Sequence, residues 1–184
     1  MSADVTALPE VPCLLSQEQI AQRVAELAAQ ISTDYARRKP LLVGVLKGAW
    51  VFMADLVRHL AIPIRCDFVK VSSYGGGTTT TGQVQLHLDL SLAAEGQDIL
   101  IVEDMVDSGT CAIWLLDHFR RRKPASIRLC ALLDKPSRRV VKVQPDYLGF
   151  EIANHFVVGY GIDWNERYRE LPYIGFIPSG REGT

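Results

Sequence analysis

The fourteen-residue stretch DILIVEDMVDSGTC, residues 98–111, constrains this chain more than any other. Asp98 to Val102 is a short apolar run, β-branched at three of its five positions, and it reads as a buried strand. Glu103 and Asp104 close that strand. Small residues follow, Ser108, Gly109 and Thr110, and a helical pattern starts there and runs to about Arg121. A strand, a short polar loop and a helix in this order form half of a strand–helix–strand unit. Such units pack as parallel sheets with helices on their faces.

The arrangement recurs along the chain. LLVGVL (41–46) reads as a second buried strand, broken by Lys47-Gly48 and followed by a helix from about Trp50 to Leu60. Ser126 to Leu133 is a third core strand, ending at Asp134-Lys135. Ile64 to Ser72 and Val84 to Leu88 alternate as strands do, and Tyr147–Ile152 and Phe156–Tyr160 are further candidates. Upstream, Ser16 and Gln19 form a capping-box pattern, with Ile20, Val24, Leu27, Ala28 and Ile31 on one helical face behind them. That helix should fade near Arg37 to Lys39, before Pro40. Residues 1–13 read as a mobile lead-in, the Gly/Thr-rich segment 73–82 as no fixed element, and the tail from Asp163 as weakly periodic. The expected fold is α/β: one domain over 1–184 with a mostly parallel, twisted sheet flanked by helices. Ligands in such sheets bind beyond the carboxyl ends of the strands. Three loops leave strands there: Lys47-Gly48, Glu103 to Cys111, and Asp134-Lys135.

Bulk properties narrow the function classes. The net charge of −1 gives no electrostatic case for nucleic acid or an anionic membrane. The run Arg120 to Lys123 suits a solvated helix end, where cations meet the negative end of the dipole. Four cysteines form no CxxC pair and have no zinc-ligand spacing with a histidine, so they read as reduced thiols. The start, MSADVTALPEVPCLL, lacks the basic residues and long apolar run of a signal peptide, and no stretch approaches ~18 apolar residues. The reading is a cytoplasmic protein.

The 103–111 loop carries chemistry. Backbone N–H groups at a helix start bind anions because they lack intrahelical partners and sit at the positive dipole end. Gly109 allows a close backbone approach, and Ser108 and Thr110 add hydroxyl donors, so this half suits a phosphate. Glu103 and Asp104 suit sugar hydroxyls as acceptors. Asp107 lies between, within reach of a base attached to that sugar.

Two acids, two apolar residues and Asp-Ser-Gly-Thr resemble the signature of the type I phosphoribosyltransferases, which bind 5-phosphoribosyl 1-pyrophosphate with magnesium. GVLKGAW (44–50), VSSYGGGTTTTG (71–82), LLDKPSRR (132–139) and FVVGYGIDWNERYRELPYIG (156–175) extend the resemblance to the hypoxanthine-guanine branch, in order and spacing, over roughly Leu41 to Phe176.

That resemblance implies roles. Lys47 and Gly48 take the pyrophosphate, with unusual backbone geometry before Gly48; Ala49 stands where members often have a second glycine. Ser73 and Tyr74 open a loop that closes over the site and excludes water. Lys135 hydrogen-bonds the 6-oxygen of the purine, Phe156 stacks on its face, and the Val157 backbone meets its edge. Trp164 packs at the rim. Asp163, with Glu103 and Asp104, contacts Mg2+, and Arg169 reaches the pyrophosphate. Terminal segments form a small hood, and the chain assembles as a homodimer or homotetramer, with Lys47 to Leu60 as a plausible interface. The implied reaction joins phosphoribosyl pyrophosphate to a 6-oxopurine, with Asp107 exchanging the purine N7 proton. A xanthine-preferring or hypoxanthine-only relative is an alternative. A non-catalytic nucleotide sensor is another, but nothing here supplies a helix-turn-helix or a broad basic face.

Cys111 departs from the family, which usually has threonine there. Loss of the hydroxyl implies weaker phosphate contact, and a thiol at a helix start is expected to be acidic and prone to oxidation. His59, His87, His118 and His155 match no catalytic pattern.

Overall fold

The computed structural model describes residues 11–73 and 84–178. Its frame is a six-stranded sheet in the order β4-β3-β2-β5-β6-β7. The strands are β2 (Leu41–Leu46), β3 (Arg65–Ser73), β4 (Val84–Leu88), β5 (Asp98–Val106), β6 (Ser126–Asp134) and β7 (Tyr147–Glu151). All neighbours are parallel except β3 and β4. Helix α1 (Gln17–Asp34) and α2 (Trp50–His59) cover one face, and α3 (Thr110–Arg120) covers the other.

The apolar runs are continuous because both faces of the sheet are buried. Leu42, Leu100, Cys130 and Leu132 pack with Ile20, Leu27, Ile31, Phe52 and Leu56 of α1 and α2. Their strand neighbours Leu41, Val43, Ile99, Ile101, Leu129 and Ala131 pack with Leu115 and Phe119 of α3. Period-two alternation thus serves two cores at once. The Ser16–Gln19 capping box is formed: the Gln19 N–H donates to Ser16 Oγ at 3.3 Å and the Ser16 N–H to Gln19 Oε1 at 2.8 Å. It is worth about 1 kcal/mol.

A second sheet, β1-β9-β8, joins β1 (Cys13–Leu15), β8 (Phe156–Val158) and β9 (Ile174–Ile177). It is the small hood built from terminal segments. Two expectations change here. Residues 11–13 are held, not mobile: Val11 is buried and Cys13 pairs with Gly175. The weakly periodic tail contains β9, a short strand (IGFI) buried along nearly its whole length and so lacking a polar face to reveal it.

Two boundaries also move. Strand β5 runs on through Glu103 and Asp104 to Val106, because β6 continues beside it and pairs Val106 with Asp134. The acids therefore lie in the strand itself and not in the loop beyond it. Ser73 closes β3 opposite Val84, whereas Tyr74 and the rest of the Gly/Thr-rich segment to 82 lie outside the described residues. Among the described residues no helix is long and apolar enough to cross a membrane.

Candidate active site

The carboxyl ends of β2, β5 and β6 lie side by side, so Lys47-Gly48, the 107–109 turn and Asp134-Lys135 meet at one edge. The turn after β5 is held by its neighbours. The Lys135 N–H donates to the Val106 carbonyl at 3.0 Å, and the Val140 N–H to the Ser108 carbonyl at 3.0 Å. Arg139 donates to the Val106 and Asp107 carbonyls at 3.1 and 2.5 Å and pairs with buried Asp134. Gly109 caps α3 with φ 85°, and a Cβ there would sit 2.6 Å from Val143. The N-cap residue Gly109 has no side chain, so beyond the Thr110 N–H the first N–H groups of α3 are left for an anion. Ser108 Oγ accepts from the Thr110 N–H at 3.3 Å and donates to the Thr110 hydroxyl at 3.1 Å, so both hydroxyls stand at that helix start.

Asp107 faces Arg138, with 3.2 Å between Nε and Oδ1. Lys135 is buried next to them. Burial pushes its ammonium below the usual lysine range; the Asp107 charge opposes that shift and Arg138 adds to it.

The pleat of β5 sends Glu103 and Asp104 to opposite faces. Buried Glu103, pushed up to about 8 by burial and then by the Asp104 charge, lies near Cys111. Asp104 lies against Gly48, where a Cβ would be 1.9 Å from its Oδ2. Burial raises Asp104 to about 6, with Arg169 lowering and Asp163 raising it. Glu103, Asp104 and Asp163 thus do not gather as one carboxylate cluster: no group of three or more His, Cys, Asp or Glu is poised for a metal among the described residues.

The 159–169 segment closes onto the Lys47 loop. Gly161 has φ 98°, and a Cβ on it would sit 2.4 Å from the Gly48 carbonyl. The Leu46–Lys47 peptide is cis, at the place where unusual geometry was expected. Arg169 donates to the Gly161 carbonyl at 2.8 Å and pairs with Asp163 at 2.8 Å, and its buried Nε has no partner among the described residues. Glu166 reaches both Lys47, at 2.8 Å, and Arg169, at 3.2 Å.

Phe156 is 41% exposed and meets Trp164 edge-on, with centroids 6.4 Å apart. Val157 pairs with Phe176. The Phe176 N–H is spent on the Pro12 carbonyl, 3.1 Å away on the β1 side. Phe176 and Val157 are therefore a non-hydrogen-bonded pair, and the Val157 N–H and C=O face outward from the edge of the hood.

Cys111 corrects its expectation. Its thiol is pushed up to about 11, by burial first and then by Glu103 and Asp104, so two carboxylates and desolvation outweigh the helix start. The histidines bind elsewhere: His118 stacks on Trp114, His87 meets Ser72 Oγ, His59 meets the Asp55 carbonyl, and His155 packs on Phe176. Gly161, Glu166, Arg138 and Arg139 were not singled out from sequence. The GYG spacing hints at the first; for the arginines and Glu166 only their place inside motif segments was available.

Known proteins resemble this chain in sequence and fold. A family model of the phosphoribosyl transferase domain matches residues 13–165. A hypoxanthine-guanine phosphoribosyltransferase of Bacillus subtilis is 49% identical, over 89% of this chain and 91% of its own length. One from Streptococcus thermophilus is 45% identical over the same shares. A crystal structure of a hypoxanthine-guanine phosphoribosyltransferase from Bacillus anthracis superposes with a TM-score of 0.88 at 44% identity, covering 92% of this chain and all of that one. Sheet order, the strand–turn–helix cradle and these likenesses together mean that the chain belongs to the phosphoribosyltransferase family, in its hypoxanthine-guanine branch.

Proposed function

We propose that this chain transfers the 5-phosphoribosyl group of phosphoribosyl pyrophosphate to hypoxanthine or guanine, yielding IMP or GMP and pyrophosphate. The carrying observation is that adjacent strands β5 and β6 bring the uncapped start of α3, Asp107 and Lys135 to one edge. A 5′-phosphate on the Ser108–Cys111 amides sets the ribose over Glu103 and Asp104, and its C1 carbon next to a purine on Lys135.

In the reaction the bond from C1 to the pyrophosphate oxygen breaks and the bond to purine N9 forms. The purine loses its N7 proton to the Asp107 carboxylate, acting as general base. The Arg139 clamp on the Asp107 carbonyl fixes where that carboxylate hangs. Lys135 donates to the 6-oxygen, which disfavours adenine because its amino group would meet a donor. Phe156 covers the ring face, and the outward Val157 amide and carbonyl meet its edge. Lys47 and Arg169 hold the departing pyrophosphate, to which the family resemblance also assigns Ser73 and Tyr74.

Asp104 and Asp163 would hold Mg2+, for which their hard carboxylate oxygens flanking Arg169 are suited. When bound, magnesium neutralises charge building on the leaving group. Self-association as a dimer or tetramer is part of this reading, supported by Trp50, 52% exposed on α2 within the Lys47 to Leu60 region.

The test is turnover on hypoxanthine, guanine, xanthine and adenine with phosphoribosyl pyrophosphate and magnesium, in the wild type and Asp107→Asn. Turnover on the first two, reduced on the order of 100-fold or more by the substitution, is expected. Failure to form IMP or GMP would sink the reading, and near-normal turnover by Asp107→Asn would remove Asp107 as the base.

A further inference from the structure

We propose that Glu166 is a built-in competitor for pyrophosphate, its carboxylate standing in the ligand-free protein between the two cations that receive the leaving group. The inference rests on the pyrophosphate reading of Lys47 and Arg169.

One oxygen, Glu166 Oε2, lies 2.8 Å from Lys47 Nζ and 3.2 Å from Arg169 Nη2. An oxygen shared by these cations from two separate segments is what a phosphate would present there. Fold stability does not call for the contact. Arg169 is already paired with Asp163 at 2.8 Å and bonded to the Gly161 carbonyl. The Glu166 side chain is 64% exposed and that of Lys47 50% exposed, so water would satisfy both.

The tight turn between Trp164 and Arg167 holds Glu166 in an uncommon backbone conformation. Asn165, Glu166 and Tyr168 all have positive φ, at 52°, 61° and 73°. Non-glycine residues adopt that region reluctantly, and such positions cluster at functional sites. Trp164 and Arg167 close the turn with reciprocal backbone bonds of 3.1 Å, and the Glu166 N–H donates to Asp163 Oδ2 at 2.9 Å.

Exposed ion pairs are weak, so an incoming pyrophosphate of several charges displaces Glu166. The displaced carboxylate remains beside the site and opposes the bound anion. Pyrophosphate is therefore held less tightly than Lys47 and Arg169 alone would hold it, and leaves sooner.

Calorimetric titration with sodium pyrophosphate in magnesium chloride buffer tests this on the wild type, Glu166→Gln and Glu166→Asn. Asparagine tolerates the left-handed backbone, which keeps the second variant informative if glutamine disturbs the turn. Both variants are expected to bind pyrophosphate about two- to fivefold tighter, the gain from losing one opposing charge at an exposed site. Product inhibition by pyrophosphate should strengthen in step, with Tm close to wild type. Unchanged or weaker binding in both variants, beside a wild type that binds and turns over, overturns the role of Glu166 alone. A wild type that takes up no pyrophosphate and makes no IMP overturns the underlying reading as well.

Discussion

Gly48 and Asp104 are in contact so close that no larger residue fits at position 48: a Cβ would lie 1.9 Å from Asp104 Oδ2 and 2.5 Å from its Cγ. The glycine does not have positive φ, so it is there for space. The contact joins the end of β2 to the pleat of β5 and fixes the carboxylate that faces Arg169 and Asp163.

Gly48→Ala should therefore act on the chemistry more than on the fold. The carboxylate must swing away, and displacements of about 1 Å at a reacting centre cost on the order of 100-fold. The expected result is kcat/KM down about 100-fold with Tm lowered by only a few degrees. An alanine variant with wild-type kcat/KM would show that the position of Asp104 is not required.

Arg139 offers a second test. It serves three acceptors, the Val106 and Asp107 carbonyls and the Asp134 carboxylate, and its side chain is only 15% exposed. A lysine keeps the charge but cannot present a planar fork to all three. Arg139→Lys should lose about 1–2 kcal/mol in urea unfolding and lower kcat more than it raises the KM for purine, since the turn bearing Asp107 loosens. Equal kcat in the two proteins would reduce Arg139 to a purely structural tie.

The frame was readable because its signals are local. Apolar runs with charged ends, Gly109 at a helix start and the Ser16–Gln19 box each specify geometry within a few residues. What escaped depends on partners far away in sequence. Strand β5 extends past Val102 only because β6 runs alongside to Asp134. Strand β9 exists through its pairing with β1 and β8. The acidity of Cys111 was misjudged for the same reason: the helix start is visible in sequence, but burial and the carboxylates of Glu103 and Asp104 are not. Arg139 and Glu166 look like surface charges until residues 33 and 119 positions away are brought to them.

Glu103 makes stability depend on pH. Its ordinary value is 4.5, and burial with Asp104 nearby pushes it up to about 8 in the folded protein. The folded value lies above the unfolded one, so the contribution is full below about pH 4.5 and is lost as pH rises to about 8. Asp104, raised from 3.8 to about 6, adds a loss in the lower part of that window. Ligand-free protein should unfold more easily at pH 8 than at pH 5.5, by on the order of a few kcal/mol. Glu103→Gln should flatten most of that slope. Urea titrations at the two pH values measure it, and an identical slope in both proteins would mean that Glu103 is ionised throughout.

Cys111 lies among the cradle groups yet contributes no hydroxyl. With its thiol pushed up to about 11, almost no thiolate exists near neutrality, whereas Cys13 and Cys66 are exposed. Iodoacetamide at pH 7.5 should therefore label Cys13 well before Cys111, with Cys66, exposed but with its thiol raised by partial burial, falling between them, as read by peptide mass spectrometry; early labelling of Cys111 would reverse the sign argued for its pKa. The same position offers a gain. Cys111→Thr adds a donor at the second position of α3, next to the amides assigned to the 5′-phosphate. One further hydrogen bond to a charged group is worth about 1.5 kcal/mol, so the KM for phosphoribosyl pyrophosphate should fall by roughly tenfold, with the KM for purine unchanged. If threonine leaves both constants where they were, residue 111 does not touch the phosphate, and the cradle's donors end at Thr110.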